Sequence, residues 1–271
     1  MLLQEVSSKP YKRVQTHAAC TSRPRVAPAP KLRVHSVESL GTYDGPGIRL
    51  VIFLQGCNLK CLYCANPDTI EFGGGTEYEL DSLVQMAQRQ RPFFGKKGGV
   101  TVSGGEPLMQ ARDLVPFFQK LQKEGLHTCI DTNGTILNNN SKELLKHTDL
   151  VLLDIKHIDS QKHLKLTGKQ NDRTLAFAEY LASENIPTWI RYVLVPGYSD
   201  DEEDLHKMGQ FLANKGNIEK LEIQPYHKLG EHKYESLGWK YQLTDVPSNT
   251  EAQLLKAKTI FEQYVKEVVI N

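Results

Sequence analysis

The stretch RLVIFLQGCNLKCLYC, residues 49–64, joins an apolar run to a loop that holds three cysteines. Its first half is continuously apolar, which is typical of a strand buried on both faces of a parallel sheet. Its second half places Cys57, Cys61 and Cys64 within eight positions. The stretch therefore predicts a buried strand whose carboxyl end carries a cluster of thiols.

Alternating strand and helix patterns continue from this stretch to the C terminus. The first helical pattern covers residues 76–90, with Thr76 and Glu79 as a capping box at its start. Six or so β–α repeats imply a parallel sheet with helical crossovers. Because no dinucleotide-binding fingerprint follows the first strand, we expect an α/β protein with a partial (β/α)6 barrel. The later strand patterns are GGVTVSGG, HTCIDTNG, DLVLLDIK, TWIRYVLVPG and KLEIQPY.

Composition excludes several classes of protein. The 271 residues carry a formal net charge of +1, which does not indicate nucleic acid as a partner. No apolar run approaches the ~18 residues that a membrane span needs. Five cysteines, three of them bunched, and no secretory signal pattern argue against a disulfide framework. We therefore expect a protein of the reducing cytoplasm with no membrane contact. We also expect it to be a monomer.

The first 31 residues differ from the rest of the chain. They hold six lysines and arginines but one acid, Glu5, and they show no periodicity. Two interpretations stay open: a disordered basic extension, or an organelle transit peptide. Cys20 lies in this segment and is interpreted as a free thiol. The sequence thus predicts an extension over residues 1–31 and a catalytic domain over residues 32–271.

Polar residues follow each predicted strand. In a barrel the carboxyl ends of the strands form one rim, where active sites are found. Each residue alone has a simple structural explanation, such as a turn, a surface ion pair or a solvated histidine. Gathered on one rim beside three cysteines, they predict a site. After the cysteine loop they are SGGEP (103–107), DTNG (131–134), Asp154, Lys156, His157, Arg191 and His227.

The cysteine spacing C-x3-C-x2-C suits an iron–sulfur cluster. Three thiolates from a short loop can hold three irons of a 4Fe–4S cluster, which leaves the fourth iron open to a small chelating ligand. Zinc is the alternative, although a structural zinc site is normally closed by four ligands. Cys129 or a distant histidine would have to complete that set. Cys129 lies within a strand pattern and is interpreted as a small core residue.

Two motifs resemble those of radical S-adenosylmethionine (SAM) enzymes. CNLKCLYC resembles the cysteine signature of that superfamily, and SGGEP resembles its glycine-rich motif. The resemblance implies a barrel of radical SAM type in which SAM chelates the open iron. An electron from the reduced cluster then cleaves the sulfonium and gives a 5′-deoxyadenosyl radical. Gly104 and Gly105 are expected to let the backbone approach the methionine amino group.

Residues 32–271 further resemble the pyruvate formate-lyase activating enzymes. GTYDGPGIR, FLQGCNLKCLYC, WIRYVLVPGYSDD and PYHKLGEHKY carry this resemblance. It implies removal of a hydrogen atom from a glycine Cα of pyruvate formate-lyase, with flavodoxin or ferredoxin as the electron donor. Ala65 departs from relatives that have histidine there, but only its backbone is expected near the adenine.

The resemblance also assigns roles to residues. No side chain is expected to act as a catalytic acid or base, since the cluster and SAM carry the chemistry. Asp131 and Thr132 are expected beside a monovalent cation, and Asp44 is expected to meet the substrate glycine loop. The residues expected to bind the cofactor are Tyr63, Cys64, Ala65, Gly104, Gly105, Glu106, Asp154, Ile155, Lys156, Arg191 and His227.

Three alternatives remain open at the level of the sequence. The first is an activator of another glycyl-radical enzyme, although many of these carry further cysteine clusters and residues 65–75 contain none. The second is a radical SAM enzyme that acts on a small molecule. The third is a non-catalytic iron–sulfur or zinc protein, which leaves SGGEP and the rim residues without a role.

Overall fold

A computed structural model describes residues 29–271, so most of the predicted extension, including Cys20, lies outside the described residues. The described chain forms one mixed sheet in the order β3-β1-β2-β4-β5-β6-β7-β8-β9. Strands β2 and β4 to β9 are parallel, whereas β1 pairs antiparallel with β2 and β3. The strands are β1 (Lys31–Gly41), β2 (Arg49–Leu54), β3 (Thr76–Glu79), β4 (Gly99–Gly104), β5 (His127–Thr132), β6 (Leu150–Asp154), β7 (Thr188–Leu194), β8 (Ile218–Pro225) and β9 (Val268–Ile270).

Helices follow the parallel strands and cover one face of the sheet. Two short 3₁₀ helices, Pro67–Thr69 and Pro107–Gln110, also follow strands β2 and β4. No helix within residues 29–271 is both long and apolar enough to cross a membrane. The helices are α1 (Leu80–Phe94), α2 (Ala111–Lys123), α3 (Asn139–Leu145), α4 (Ser160–Thr167), α5 (Asp172–Ser183), α6 (Glu202–Leu212), α7 (Glu231–Ser236) and α8 (Glu251–Phe261).

The predicted partial barrel is confirmed. Strands β2, β4, β5, β6, β7 and β8 lie side by side in chain order, which successive β–α units produce. In the described part of the chain the sheet ends at β3 and β9, so the barrel is open.

Alternation along the strands divides core from site. Ile130, Leu153, Tyr192 and Ile223 are fully buried in the main core between sheet and helices. Each such side chain contributes roughly 1.5–3 kcal/mol to folding. The residues that follow them point to the opposite, concave face, because successive side chains of a strand alternate. This face carries the polar residues of the site.

The capping box predicted at Thr76 and Glu79 is wrong. These residues form β3, and α1 begins only at Leu80, where Glu79 makes no capping hydrogen bond. The reason is pairing with β1, which places Thr76 opposite Val34 and the Glu79 carboxylate 3.1 Å from Lys31 Nζ. Helices α4 and α7 were not predicted, and both lie next to the cysteine loop.

Candidate functional site

A cavity of about 560 Å³ opens at the carboxyl ends of the parallel strands. This volume lies within the roughly 300–1,000 Å³ of small-molecule sites. Ten of the predicted site residues line it: Asp44, Tyr63, Cys64, Ala65, Gly104, Asp131, Asp154, Lys156, Arg191 and His227.

The three cysteines of the loop are free thiols, and Cys64 lines this cavity. Burial raises the pKa of Cys57 and Cys61 to about 12 and that of Cys64 to about 11. Thiolates are the form that binds metal, so a bound cation has to supply the charge that stabilises them. Within residues 29–271 no group of three or more His, Cys, Asp or Glu side chains surrounds a single ion position.

Helices α4 and α7 hold the cysteine loop in place. The backbone N–H groups of Lys60 and Leu62 donate to the carbonyl oxygens of Thr167 and Leu166 at the end of α4, and both distances are 2.9 Å. The Tyr234 hydroxyl of α7 donates to the Cys61 carbonyl over 3.4 Å. Cys61 and Cys64 also pack against a cluster of buried aromatic residues that includes Tyr226, Tyr234 and Tyr241. The loop is therefore supported on both flanks by elements that the sequence pattern did not reveal.

Gly104 and Gly105 lie where the SGGEP motif packs closely against its neighbours. A Cβ on Gly105 would lie 2.1 Å from the Gly56 carbonyl oxygen, and one on Gly104 would lie 2.2 Å from Leu54 N. The Gly105 N–H donates to the Leu54 carbonyl over 2.9 Å, and the Glu106 N–H donates to that of Gly56 over 2.7 Å. These glycines therefore let the motif pack against β2 and the cysteine loop, and their predicted contact with a ligand stays a prediction.

The Glu106 side chain does not reach the cavity. Its carboxylate accepts hydrogen bonds from Leu108 N at 2.9 Å, Thr132 Oγ1 at 2.6 Å and Asn133 N at 2.8 Å. Burial raises the pKa of Glu106 to about 7. The side chain therefore joins the SGGEP and DTNG loops, and the predicted cofactor contact of Glu106 would have to use its backbone.

Other predicted residues also lie behind the cavity wall. The Thr132 hydroxyl donates to Glu106 and accepts from Gly134 N at 3.0 Å, and the residue is buried, so its side chain faces away from the cavity. Ile155 is fully buried in the main core, so only its backbone can face a ligand. His157 is fully buried too, with Nε2 3.6 Å from an Asp204 oxygen, away from the site.

Arg191 joins the acidic residues of the cavity. Its Nη1 lies 3.1 Å from Asp131 Oδ2 and 3.8 Å from Asp44 Oδ1, and its Nη2 donates to the Tyr43 carbonyl. Burial raises the pKa of Asp131 to about 6, although Arg191 acts in the opposite direction. The pocket therefore holds a carboxylate next to a fixed guanidinium.

Lys156 supplies a second cation on the same wall. Its Nζ lies 2.6 Å from Asp154 Oδ2 and 5.7 Å from the centre of the Tyr63 ring. Burial lowers the pKa of Lys156, but Asp154, Tyr63 and Cys61 together raise it by more, so the pKa lies well above its ordinary value. Asp154 and Lys156 thus present a charged pair directly beside the cysteine loop.

Sequence reasoning missed several cavity residues. Tyr43 and Leu229 are 68% and 74% exposed at the cavity mouth, and Ser103 and Gln224 lie on its wall. Gln224 had a usable signal, since it alternates with the buried Leu221 and Ile223 along β8. Leu229 had none, because it lies in a loop without periodicity.

Comparison with known proteins identifies the family. The model of the Radical SAM superfamily matches residues 51–209. The pyruvate formate-lyase-activating enzyme of Staphylococcus aureus strain USA300 is 52% identical over 224 residues, which cover 80% of this chain and 89% of that enzyme. The chain belongs to the radical SAM superfamily and to its pyruvate formate-lyase-activating enzyme family.

Solved structures agree with this family at the level of the fold. A domain of the pyruvate-formate lyase-activating enzyme from Bacteroides vulgatus has a TM-score of 0.55 at 24% identity, over 64% of this chain and 99% of that one. Streptococcus suis SuiB, bound to its precursor peptide SuiA, has a TM-score of 0.64 at 18% identity, over 82% of this chain and 48% of that one.

Radical SAM enzymes use a 4Fe–4S cluster and SAM, and the residues present in this family member fit both. Three free thiols on one loop suit a cluster whose irons are each held by a separate cysteine. Two cavity groups, Asp131 Oδ1 and the Tyr63 hydroxyl, are buried without a hydrogen-bond partner among residues 29–271. Buried polar atoms of this kind are normally satisfied, so a polar ligand is expected in the cavity.

Proposed function

We propose that this protein activates pyruvate formate-lyase by cleaving SAM reductively and removing a hydrogen atom from one glycine Cα of the lyase. The observation that carries the proposal is the 52% identity to an enzyme of that name over 80% of this chain. The absence of an acid–base dyad among the assigned residues is consistent with radical chemistry, in which the protein positions reactants and excludes water.

The cysteines and two charged residues of the cavity have proposed tasks. Cys57, Cys61 and Cys64 would hold the cluster. Asp154 and Lys156 would bind the polar groups of SAM, because this pair offers both an acceptor and a donor beside the cysteine loop. When bound, the reduced cluster and SAM supply one-electron cleavage of the sulfonium and a carbon radical that takes the glycine hydrogen.

A monovalent cation is proposed at Asp131. Its Oδ1 is buried and has no hydrogen-bond partner within residues 29–271, while Oδ2 accepts from Ser103 at 2.6 Å and from Arg191. Thr132 would contribute through its backbone only, since its hydroxyl is engaged by Glu106 and Gly134.

The partner protein would enter from the open side of the barrel. Tyr43 and Asp44 lie at the cavity beside Arg191, so a glycine loop that enters would meet this segment. We further propose a monomer in the cytoplasm, where flavodoxin or ferredoxin donates the electron. Free thiols at Cys57, Cys61, Cys64 and Cys129 are consistent with a reducing compartment.

Two substitutions separate the partner role from the cofactor role. Asp44→Ala should reduce lyase activation at least tenfold, because Asp44 faces the entering loop. The rate of SAM cleavage, with a chemical reductant as the electron donor, should stay within about twofold of that of the unsubstituted enzyme. Asp154→Ala should reduce both, because it pairs with Lys156 in the SAM pocket. The measurements are 5′-deoxyadenosine yield and lyase activity in anaerobic mixtures.

Equal losses in both assays for Asp44→Ala would remove the proposed partner contact. SAM cleavage without activation of the lyase by the unsubstituted enzyme would contradict the proposed function. A glycyl-radical enzyme of another kind, or a small molecule, would then be the substrate to test.

A further inference from the structure

Glu222 is a buried carboxylate that none of the functions above uses. It lies on β8 directly opposite Arg191 on β7, and only 2% of its surface is exposed. Its neighbours Leu221 and Ile223 point into the main core. Glu222 therefore points to the concave face, the same face as the cavity residue Gln224, which lies two residues further along β8.

Both oxygens of Glu222 are occupied by cations. Oε2 accepts from Arg191 Nε at 3.2 Å, and Oε1 lies 2.7 Å from Lys220 Nζ. A buried carboxylate is costly unless it is paired in this way. The Glu222 carboxylate therefore lies between two positive charges, with Lys220 at one oxygen and Arg191, which lines the cavity, at the other.

This contact decides which way the Arg191 guanidinium faces. The planar fork has five N–H donors in fixed directions, so fixing the Nε edge also fixes the two Nη groups. With Nε held from behind by Glu222, Nη1 faces Asp131 and Nη2 faces the Tyr43 carbonyl. Without that hold, the guanidinium is free to turn toward Asp131 and pair with it through two nitrogens, which releases Tyr43.

We propose that Glu222 is a positioning residue that keeps Arg191 bridged between Asp131 and the segment Tyr43–Asp44, with Lys220 balancing its charge. Glu222 touches no substrate and acts through Arg191. Its task is to hold the segment that meets the partner glycine loop in register with the SAM pocket. The link to lyase activation rests on the proposed function, whereas the link between Glu222 and the Tyr43–Asp44 segment does not.

The direct test is hydrogen–deuterium exchange of the segment around residues 42–47, measured in the reconstituted enzyme without any partner. Glu222→Gln should speed exchange there about tenfold and leave β2 and α2 unchanged. The matched control is Glu219→Gln on the same strand, whose exposed carboxylate accepts from the Trp189 indole at 3.0 Å. This control should exchange like the unsubstituted enzyme.

A double variant keeps the test decisive if Glu222→Gln folds poorly beside an unpaired Lys220. In Glu222→Gln with Lys220→Met, the glutamine oxygen can accept from Arg191 Nε without a buried cation behind it, so exchange should return at least halfway to normal. Unchanged exchange over residues 42–47 in a folded Glu222→Gln variant would overturn the proposal. If that variant does not fold, Glu222→Leu with Lys220→Met takes its place, because it offers Arg191 Nε no acceptor; it should exchange about tenfold faster, and unchanged exchange there would overturn the proposal.

A second readout connects this role to the reaction. Glu222→Gln should consume several-fold more SAM for each glycyl radical formed, because cleavage continues while the partner segment is loose. Fast exchange with an unchanged ratio would remove the link to lyase activation but keep the positioning role. If the unsubstituted enzyme does not activate the lyase at all, while exchange in the variants is as expected, the result would count against the proposed function alone.

Discussion

Asp131 and Arg191 form a buried ion pair in which one carboxylate oxygen is fixed and the other is free. Oδ2 lies 3.1 Å from Arg191 Nη1, while Oδ1 has no hydrogen-bond partner within residues 29–271. Burial raises the pKa of Asp131 to about 6 even with Arg191 beside it. The cavity therefore contains a carboxylate oxygen without a partner, which a bound cation or a hydrogen-bond donor of a polar ligand could contact.

The three cysteines of the loop should be separable from Cys129. Replacing Cys57, Cys61 or Cys64 by alanine should abolish the cluster, because each of the three cysteines holds a separate iron and the loop has no spare ligand. Cys129→Ala should retain it, since Cys129 is fully buried against Leu150 and Leu152. Iron and sulfide per chain after anaerobic reconstitution measure this. Stoichiometric zinc without sulfide would overturn the cluster assignment.

Gly105→Ala should damage the cluster without touching a ligand. The added Cβ would lie 2.1 Å from the Gly56 carbonyl oxygen and 3.1 Å from Cys57 N, so the cysteine loop has to shift. We expect iron content to fall by more than half. Gly73→Ala is the control, because a Cβ there meets nothing within 4 Å. Normal iron content in Gly105→Ala would show that the loop tolerates the shift.

Glu106 should make stability depend on pH. Its pKa is raised to about 7 by burial, so proton binding favours the folded state. This contribution is complete below about pH 4.5 and is lost as the pH rises through about 7. The free energy of unfolding should thereby fall by up to about 3 kcal/mol.

Glu106→Gln should remove that component, although it also places an amide N–H₂ against a backbone donor and so lowers stability by roughly 1–3 kcal/mol. Urea unfolding between pH 5 and 8 measures both effects, with the exposed Glu77→Gln as control. Parallel curves for the unsubstituted enzyme and Glu106→Gln would show that Glu106 does not titrate in this range.

Truncation should locate the start of the folded domain. Deleting residues 1–28 should leave the thermal midpoint and cluster content unchanged, because β1 begins at Lys31. Deleting residues 1–34 should lower the midpoint sharply, since Leu32 and Val34 are buried and each contributes roughly 1.5–3 kcal/mol. Loss of folded protein in the shorter deletion would place part of the extension within the domain.

Sequence patterns predicted the fold where burial alone determines structure. The apolar runs of β2 and β4 to β8 predicted six parallel strands in chain order. Strand β3 could not be predicted from local pattern, because its polar residues TEYE are held by pairing with β1. Helices α4 and α7 could not be predicted either, because they are short and contacts with the cysteine loop hold them in position.

The same distinction applies to the site. The strand patterns placed Asp131 and Asp154, near the ends of their strands, and Arg191, within its strand, at one cavity, as the structure does. The direction of the Glu106 side chain could not be read, because it depends on hydrogen bonds from the distant Thr132 and Asn133. Glu222 was overlooked for a related reason: a single glutamate in KLEIQPY gives no sign that Arg191 lies opposite it.

Electron paramagnetic resonance on the complete reaction tests the central claim most directly. The mixture contains the reconstituted enzyme, SAM, a reductant and pyruvate formate-lyase under anaerobic conditions. A glycyl-radical doublet should appear on the lyase and should collapse to a single line when its glycine is deuterated at Cα. SAM cleavage that leaves no radical on the lyase, in the same mixture, would contradict the account.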